Sequence, residues 1–419
     1  MAALNYVLNL GSSVVMPLII TILGLILGQK LSKAFRSGMT IGIGFIGINL
    51  VIGLMGDFVS PAAQAMVKRF GLNLSVVDVG WPVSSSIAFA TKIVPFVFIV
   101  CFVLNIIMLA TNFTKTLNVD IWNYWHFILT GSLVQFLTGS MIAGIVAAGI
   151  TFIIIMKMAD YSAPRVQEYF GLPGVSLPHT ETVSWAPLCI LLDKVYDKIP
   201  GFNKVHFDGD TIQKRFGIIG EPMMLGLILG AGIGALAGYE VNAIITLAVN
   251  MAAVMFILPR MVKILMEGLM PLSEDAKKFM AKKFPGKEVN IGMDAAIATG
   301  SPMVISAALI MVPITLVLAF VLPGNKLLPL VDLATLPFFM IWPVVASKGN
   351  LFRSLITGTL MMIAILYIGT NLAPTVTQIA HSTGFAFPKG ATAVSSLDAG
   401  AHLVPYVLYK ISEFIQMIF

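Results

Sequence analysis

The sequence predicts an all-α integral membrane protein made of two halves of inverted topology. Three observations predict this: the composition, apolar runs broken by Gly and Pro, and landmarks that recur in the same order in the second half. Of 419 residues, 58% are hydrophobic and 11% charged, and the mean hydropathy is +0.92. A soluble globular chain carries roughly 25% charged residues, so this one lacks the polar surface that water requires. A membrane span takes about 20 residues, which leaves room for on the order of ten spans with their loops.

The net charge of +6 fits Lys and Arg collected on cytoplasmic loops better than it fits nucleic acid, which is not expected as a partner. Cys101 and Cys189 lie in apolar stretches far apart and form no metal or redox motif. No basic residue precedes the first apolar run, so that segment is expected to be retained and not cleaved as a signal peptide.

The runs that can span are Val14–Gly28, Ile41–Gly56, Ile87–Ala110, Gly139–Met158, Met223–Gly238, Val241–Leu258, Pro302–Leu322 and Leu355–Thr370. Several are short or interrupted. At membrane depth a broken helix survives only where protein or a watery cavity satisfies the freed backbone groups, so the breaks point to a transport site.

The duplication rests on five landmarks. Gly24–Gly28 recurs as Gly234–Gly238, Asp78 as Asp294, Val119–Ile121 as Val331–Leu333, Thr138–Ser140 as Thr357–Thr359, and Val175–His179 as Val394–Asp398, at offsets of 210 to 219 residues. Five matches in register are better explained by duplication than by coincidence. Charge gives the orientation. Lys30, Lys33 and Arg36 follow the first span, whereas the equivalent Tyr239–Glu240 has no Lys or Arg. The stretch Met261–Asn290 holds Lys263, Lys277, Lys278, Lys282, Lys283 and Lys287, against Lys68 and Arg69 in its counterpart. Equivalent loops alternate in basicity, which places the halves in opposite orientations, the N-terminus outside the cytoplasm and the loop Lys194–Arg215 within it. The expected organisation is a first repeat over 1–192, a linker over 193–220 and a second repeat over 221–419.

Three pairs of segments carry the polar chemistry. In the first, Asp78 precedes Trp81 and Ser84 and opens an apolar helix, as Asp294 does before Ser301; a carboxylate and free backbone N–H groups then share a pocket, or the acid caps the helix. The second places His179, Thr180 and Glu181 opposite Asp398, ionisable groups at equivalent points of two short hairpins; such groups at membrane depth are functional candidates by default. The third sets Trp122, Trp125 and His126 on one helix face, where rings stack on the C–H faces of sugars and His bonds hydroxyls, unless the aromatics are an interfacial belt. Asp120 and Asp332 stand at equivalent positions nearby. The chain has no nucleotide-binding, hydrolase-elbow, Cys-x-x-Cys or zinc-protease motif, so no metal or cofactor is expected and any driving force comes from a gradient, downhill flow or a partner. Whether it counts as an enzyme in its own right stays open at this level.

Ile41–Phe45, Val77–Pro82, Asn118–Asn123, Phe216–Gly217 with Gly220–Pro222, and Gly349–Arg353 together resemble the galactitol-specific enzyme IIC components of the phosphoenolpyruvate-dependent sugar phosphotransferase system, over nearly the whole chain. Against that resemblance, the sequence to Phe419 is expected to be short of a last hydrophobic segment of longer relatives, which leaves the number of spans open. More distantly it is similar to the ascorbate permeases of the same superfamily. The resemblance implies a multi-pass inner-membrane homodimer with an elevator motion. Its scaffold domain comes from the first two spans of each repeat, about 10–60 and 221–270, and its core domain from about 75–192 and 290–410. It implies galactitol or a related polyol as solute and a phosphocysteine-bearing IIB protein, charged through IIA, as phosphoryl donor. Lipid is expected around the dimer, and the basic loops Lys194–Arg215 and Lys263–Lys287 are the accessible places for IIB to dock, unless their charge is ordinary positive-inside charge. His179 and Thr180 match a solute-contacting hairpin position of the ascorbate relatives, Asp294 their acidic site residue, and Trp122 and His126 other polar contacts. Asp294, Asp398 and His179 are the candidates for a base acting on the solute hydroxyl, and the sequence does not choose among them. The alternative is a cation-coupled secondary transporter, in which the pairs Asp78/Asp294 or His179/Asp398 bind a proton.

Overall fold

The computed structural model describes residues 17–418 except 19, 23, 26–27, 72–73, 119, 201, 203–220, 284–288, 294, 300, 386 and 388–390. The predicted span Val14–Gly28 therefore lies partly outside the described residues, and most of the linker, Asp294, Lys287 and the Phe216–Gly217 motif lie outside them.

The first half begins with α1 (Leu31–Leu54), a π-helical turn at Met55–Val59 and α2 (Ser60–Arg69). A three-residue strand β1 (Val76–Asp78) leads into α3 (Trp81–Phe89) and α4 (Val94–Ala110), which meet at 96°. The apolar run Ile87–Ala110 is thus not one straight span. Gly80 at φ +78° and a Pro in the first turn of each helix restart the backbone twice, and the chain turns between Ala90 and Ile93. Next come β2 (Thr116–Asn118), a 3₁₀ turn (Ile121–Asn123) and α5 (Tyr124–Thr138). They are followed by α6 (Met141–Phe170), β3 (Val175–Ser176), α7 (Thr180–Val183) and α8 (Ala186–Tyr196).

The second half opens with α9 (Pro222–Ala237) and α10 (Val241–Lys283). There follow β4 (Asn290–Gly292), α11 (Ala296–Thr299), α12 (Pro302–Val321), β5 (Leu327–Leu328), a 3₁₀ turn (Asp332–Thr335) and α13 (Leu336–Ala346). The chain ends with α14 (Leu351–Ser382), β6 (Ala393–Ser395), α15 (Leu397–Ala401) and α16 (Leu403–Ile418).

Among the described residues α6, α12 and α14 are long and apolar enough to cross a membrane, and the bent pair α3–α4 is a broken span or re-entrant loop. Exposed apolar side chains fall in stripes on two of them: Phe96, Ile99, Val103 and Ile107 on α4, and Ile142, Val146 and Ile150 on α6. Contiguous exposed apolar surface of this kind is what lipid covers. α10 is 43 residues long. At 1.5 Å per residue that is about 65 Å, roughly twice the hydrocarbon core, so this helix is too long to lie within a membrane that it crosses.

α10 packs along both α9 and α1. Gly226 and Gly230 let α9 approach, since a Cβ on either would stand 2.5 Å from the Cα of Ala252 or 2.7 Å from that of Ala248. Small residues four apart allow such backbone contact in a bilayer, where dispersion between helices must replace the hydrophobic drive. At the far end Lys33 and Gln29 both bond the Asp275 carboxylate, at 2.7 and 2.8 Å.

The six short strands form two parallel sheets, ordered β5–β1–β6 and β2–β4–β3. Val76 pairs with Leu327 and Ala393, Asp78 with Ser395, and Thr116 and Asn118 with Asn290 and Gly292. Each sheet has a central strand from one half of the chain and outer strands from the other. This fastens the loops that precede the broken helices and satisfies backbone groups that neither water nor helix could.

Candidate functional site

The helix breaks meet around two carboxylates. Asp78, fully buried, accepts from the Gly80 N–H at 3.0 Å through Oδ1, and from the N–H groups of Leu330 and Asp332 at 2.9 and 3.0 Å through Oδ2. Asp332, also fully buried, accepts from the Trp81 N–H at 2.7 Å and the Thr335 hydroxyl at 3.2 Å through Oδ1, and from the Asp398 N–H at 2.9 Å through Oδ2. Helix starts leave N–H groups unpaired, and here the two acids supply acceptors both to their own half of the chain and to the opposite one. Ser84 joins the same stitching: its hydroxyl meets that of Ser396 at 2.8 Å, and Ser396 caps α15 by accepting from the Ala399 N–H. Asp78, Ser84 and Asp332 are thus capping groups that hold the two halves together.

A second polar cluster lies where α5, the β3–α7 hairpin and the β6–α15 hairpin converge. Every residue of α5 from Tyr124 to Val134 is buried, so His126 projects into protein whichever way it faces. Its Nδ1 lies 2.6 Å from His402 Nε2, and His402 Nδ1 lies 2.6 Å from the Asp398 carbonyl oxygen. The His179 ring stands 4.4 Å from that of His126 and stacks on Phe338 of α13 at 5.6 Å. Glu181 places a carboxylate oxygen 3.9 Å from His179 Nδ1. Trp125 covers the cluster, 4.1 Å from the His126 ring and 5.3 Å from that of His402.

Local sequence explains the placement. Pro178 and the extended backbone of His179 start α7 only at Thr180, so His179, Thr180 and Glu181 sit on a hairpin tip. Trp185 Nε1 donates to the Ala401 carbonyl at 2.7 Å, which pins the end of α15 and with it His402.

His126, Thr180, Asp398 and His402 are fully buried, and His179 and Glu181 nearly so. Among the described residues Trp125 Nε1, His126 Nε2, Thr180 Oγ1 and both carboxylate oxygens of Asp398 have no hydrogen-bond partner. Buried polar atoms are seldom left unbonded, and a knot of donors and acceptors in one place suits a solute rich in hydroxyls. The described residues offer no group of three or more His, Cys, Asp or Glu arranged to hold a metal.

Of the residues singled out in the sequence, His126, His179, Thr180, Glu181 and Asp398 come together here. Trp122 stands behind the cluster, 6.5 Å from Trp125, and meets Trp81 edge-on at 5.8 Å. Asp294 lies outside the described residues. His402 was missed; its signal is the spacing of four from Asp398 on a short helix, which sets both on one face.

A family model described as the PTS system sugar-specific permease component, EIIC-GAT, matches residues 6–390. The chain is similar to a protein of Escherichia coli strain K12 named "Putative permease IIC component", 43% identical over 396 residues that cover 94% of this chain and 91% of that one. It is also similar to the PTS system galactitol-specific EIIC components of E. coli strains K12 and O157:H7, each 41% identical over 408 residues that cover 97% of this chain and 90% of theirs.

Proposed function

The chain belongs to the sugar-specific permease components of the phosphotransferase system, and from that membership we propose how it works. It is the membrane IIC subunit that binds galactitol or a closely related polyol, carries it across the inner membrane and presents it to phosphorylated IIB. The observation that carries this is the convergence of three imidazoles, two carboxyls and an indole N–H in one buried place, in a chain 41% identical to galactitol components. Hydroxyls need acceptors and donors together, and this cluster has both.

The two halves are inverted repeats. Support comes from the order of elements, in which a strand, a broken helix, a second strand, a 3₁₀ turn, two helices, a third strand, a short helix and a final helix run over 76–196 and again over 290–418. The exchange of strands between the two sheets fits the same pseudo-symmetry. The scaffold is built on α1, α9 and α10, and the core on the broken segments. The core moves as an elevator in a homodimer, with the N-terminus outside the cytoplasm. IIB docks at the linker end. There Arg353 bonds Asp193 and Asp197 at 2.9 and 2.8 Å, and a cavity of about 600 Å³ is lined by Arg165, Glu168, Tyr169 and Lys348.

The test is uptake of radiolabelled galactitol into vesicles with and without phosphorylated IIB. Phosphorylated label inside, only with the donor, is expected. Free galactitol accumulating on a proton or sodium gradient would instead select the cation-coupled transporter.

A further inference from the structure

The bonds around His126 and His402 fix where the protons of those two rings lie. A carbonyl oxygen only accepts, so His402 Nδ1, 2.6 Å from the Asp398 carbonyl, carries the proton of that ring. With one proton per ring, His402 Nε2 is then an acceptor. His126 Nδ1, 2.6 Å away, must be the donor to it. That leaves His126 Nε2 with a bare lone pair, fully buried and without a partner among the described residues. The tautomer is dictated from the backbone of α15 through two rings.

We propose that His126 is the catalytic base of phosphoryl transfer, its Nε2 taking the proton of the attacking solute hydroxyl, with His402 as the positioning residue that holds it in the right tautomer. The proposal rests on the phosphotransferase reading above. In the step, the hydroxyl oxygen forms its bond to phosphorus as the S–P bond of the donor phosphocysteine breaks, and the thiolate leaves with the electron pair. The hydroxyl proton goes to His126 Nε2. His126 now holds two N–H groups, and the proton on Nδ1 can pass along the 2.6 Å contact to His402 Nε2. The positive charge then rests on His402, whose Nδ1 lies 3.8 Å from the Asp398 carboxylate. Charge is thereby drawn away from the reacting oxygen and toward an acid that favours it. The base is thus a residue from α5, whereas the sequence offered Asp294, Asp398 and His179.

The experiment measures kcat and KM for galactitol phosphorylation by phosphorylated IIB in vesicles, for the wild-type chain, His126→Gln, His402→Gln and His402→Leu. Gln at 126 offers an amide oxygen to a hydroxyl but takes no proton, so kcat should fall about 10²- to 10⁴-fold while KM moves far less. Gln at 402 keeps an acceptor for His126 Nδ1 and should retain most of the rate. Leu at 402 keeps none, and should lose at least tenfold more in kcat than Gln does. A His126→Gln chain with near-normal kcat, or one whose loss lies in KM alone, would overturn the assignment. If His126→Gln no longer binds galactitol, the Gln and Leu pair at 402 decides, and equal rates for the two sink the relay. A wild-type chain that yields no phosphorylated galactitol counts against the phosphotransferase reading itself and not against the choice of base.

Discussion

Replacing Asp332 by Ala removes the acceptor for two backbone N–H groups, those of Trp81 and Asp398, which it holds at 2.7 and 2.9 Å from a fully buried position. Each bond is to an acid group, and each N–H left behind is buried at a helix start. A stranded buried donor costs about 1–3 kcal/mol, so the two together predict a loss of about 2–6 kcal/mol. Asp332→Asn keeps one oxygen and turns an NH₂ toward the other N–H, so it should lose about half as much or somewhat more. The two N–H groups belong to different halves of the chain. The loss should therefore appear as a lowered thermal transition of the purified protein in detergent and as weaker galactitol binding, because Asp398 shares the His402 hairpin. An Asp332→Ala chain with an unchanged transition and unchanged binding would refute the view that this acid is the clamp between the halves.

Gly230→Leu would drive a side chain into the backbone of α10 at Leu247 and Ala248, and overpacking of this kind should cost about 1–3 kcal/mol, read as a fall in the same thermal transition. Toward the C-terminal end of α10, Lys33 holds the Asp275 carboxyl below its ordinary value of 3.8, with Gln29 and Lys278 adding to the effect. A depressed carboxyl contributes stability above pH 3.8 that is lost as pH falls through its lower folded value. Asp275→Asn should therefore differ from wild type at neutral pH and converge with it in acid. The gap should be about 0.2–1 kcal/mol, because Lys33 is half exposed and water screens the pair; a gap that widens in acid would reverse the sign.

The membrane class, the helical architecture and the family were all legible in the sequence. An 11% charged chain leaves no other solvent than lipid, and the Val77–Pro82 and Asn118–Asn123 motifs are local strings that survive without knowledge of the fold. The same patterning marked His126, His179, Glu181 and Asp398 as out of place in apolar stretches, which is why a list made from polarity alone named most of the residues that come together in this buried cluster. Asp78 and Asp332 show where such a list stops. In the sequence they are the same kind of signal as Asp398, a lone acid before small residues. Their work is settled by which N–H groups stand opposite, and those groups, on Leu330 for Asp78 and on Trp81 for Asp332, lie about 250 residues away along the chain. Hydropathy also could not separate a straight span from a bent one at Ile87–Ala110, since apolar side chains cover both and only the backbone restart at Pro95 decides. Composition and periodicity determine which solvent each segment prefers. The proton positions on His126 and His402 belong to the tertiary structure alone, because a tautomer is set by whichever donor or acceptor the fold brings within hydrogen-bond distance of each nitrogen.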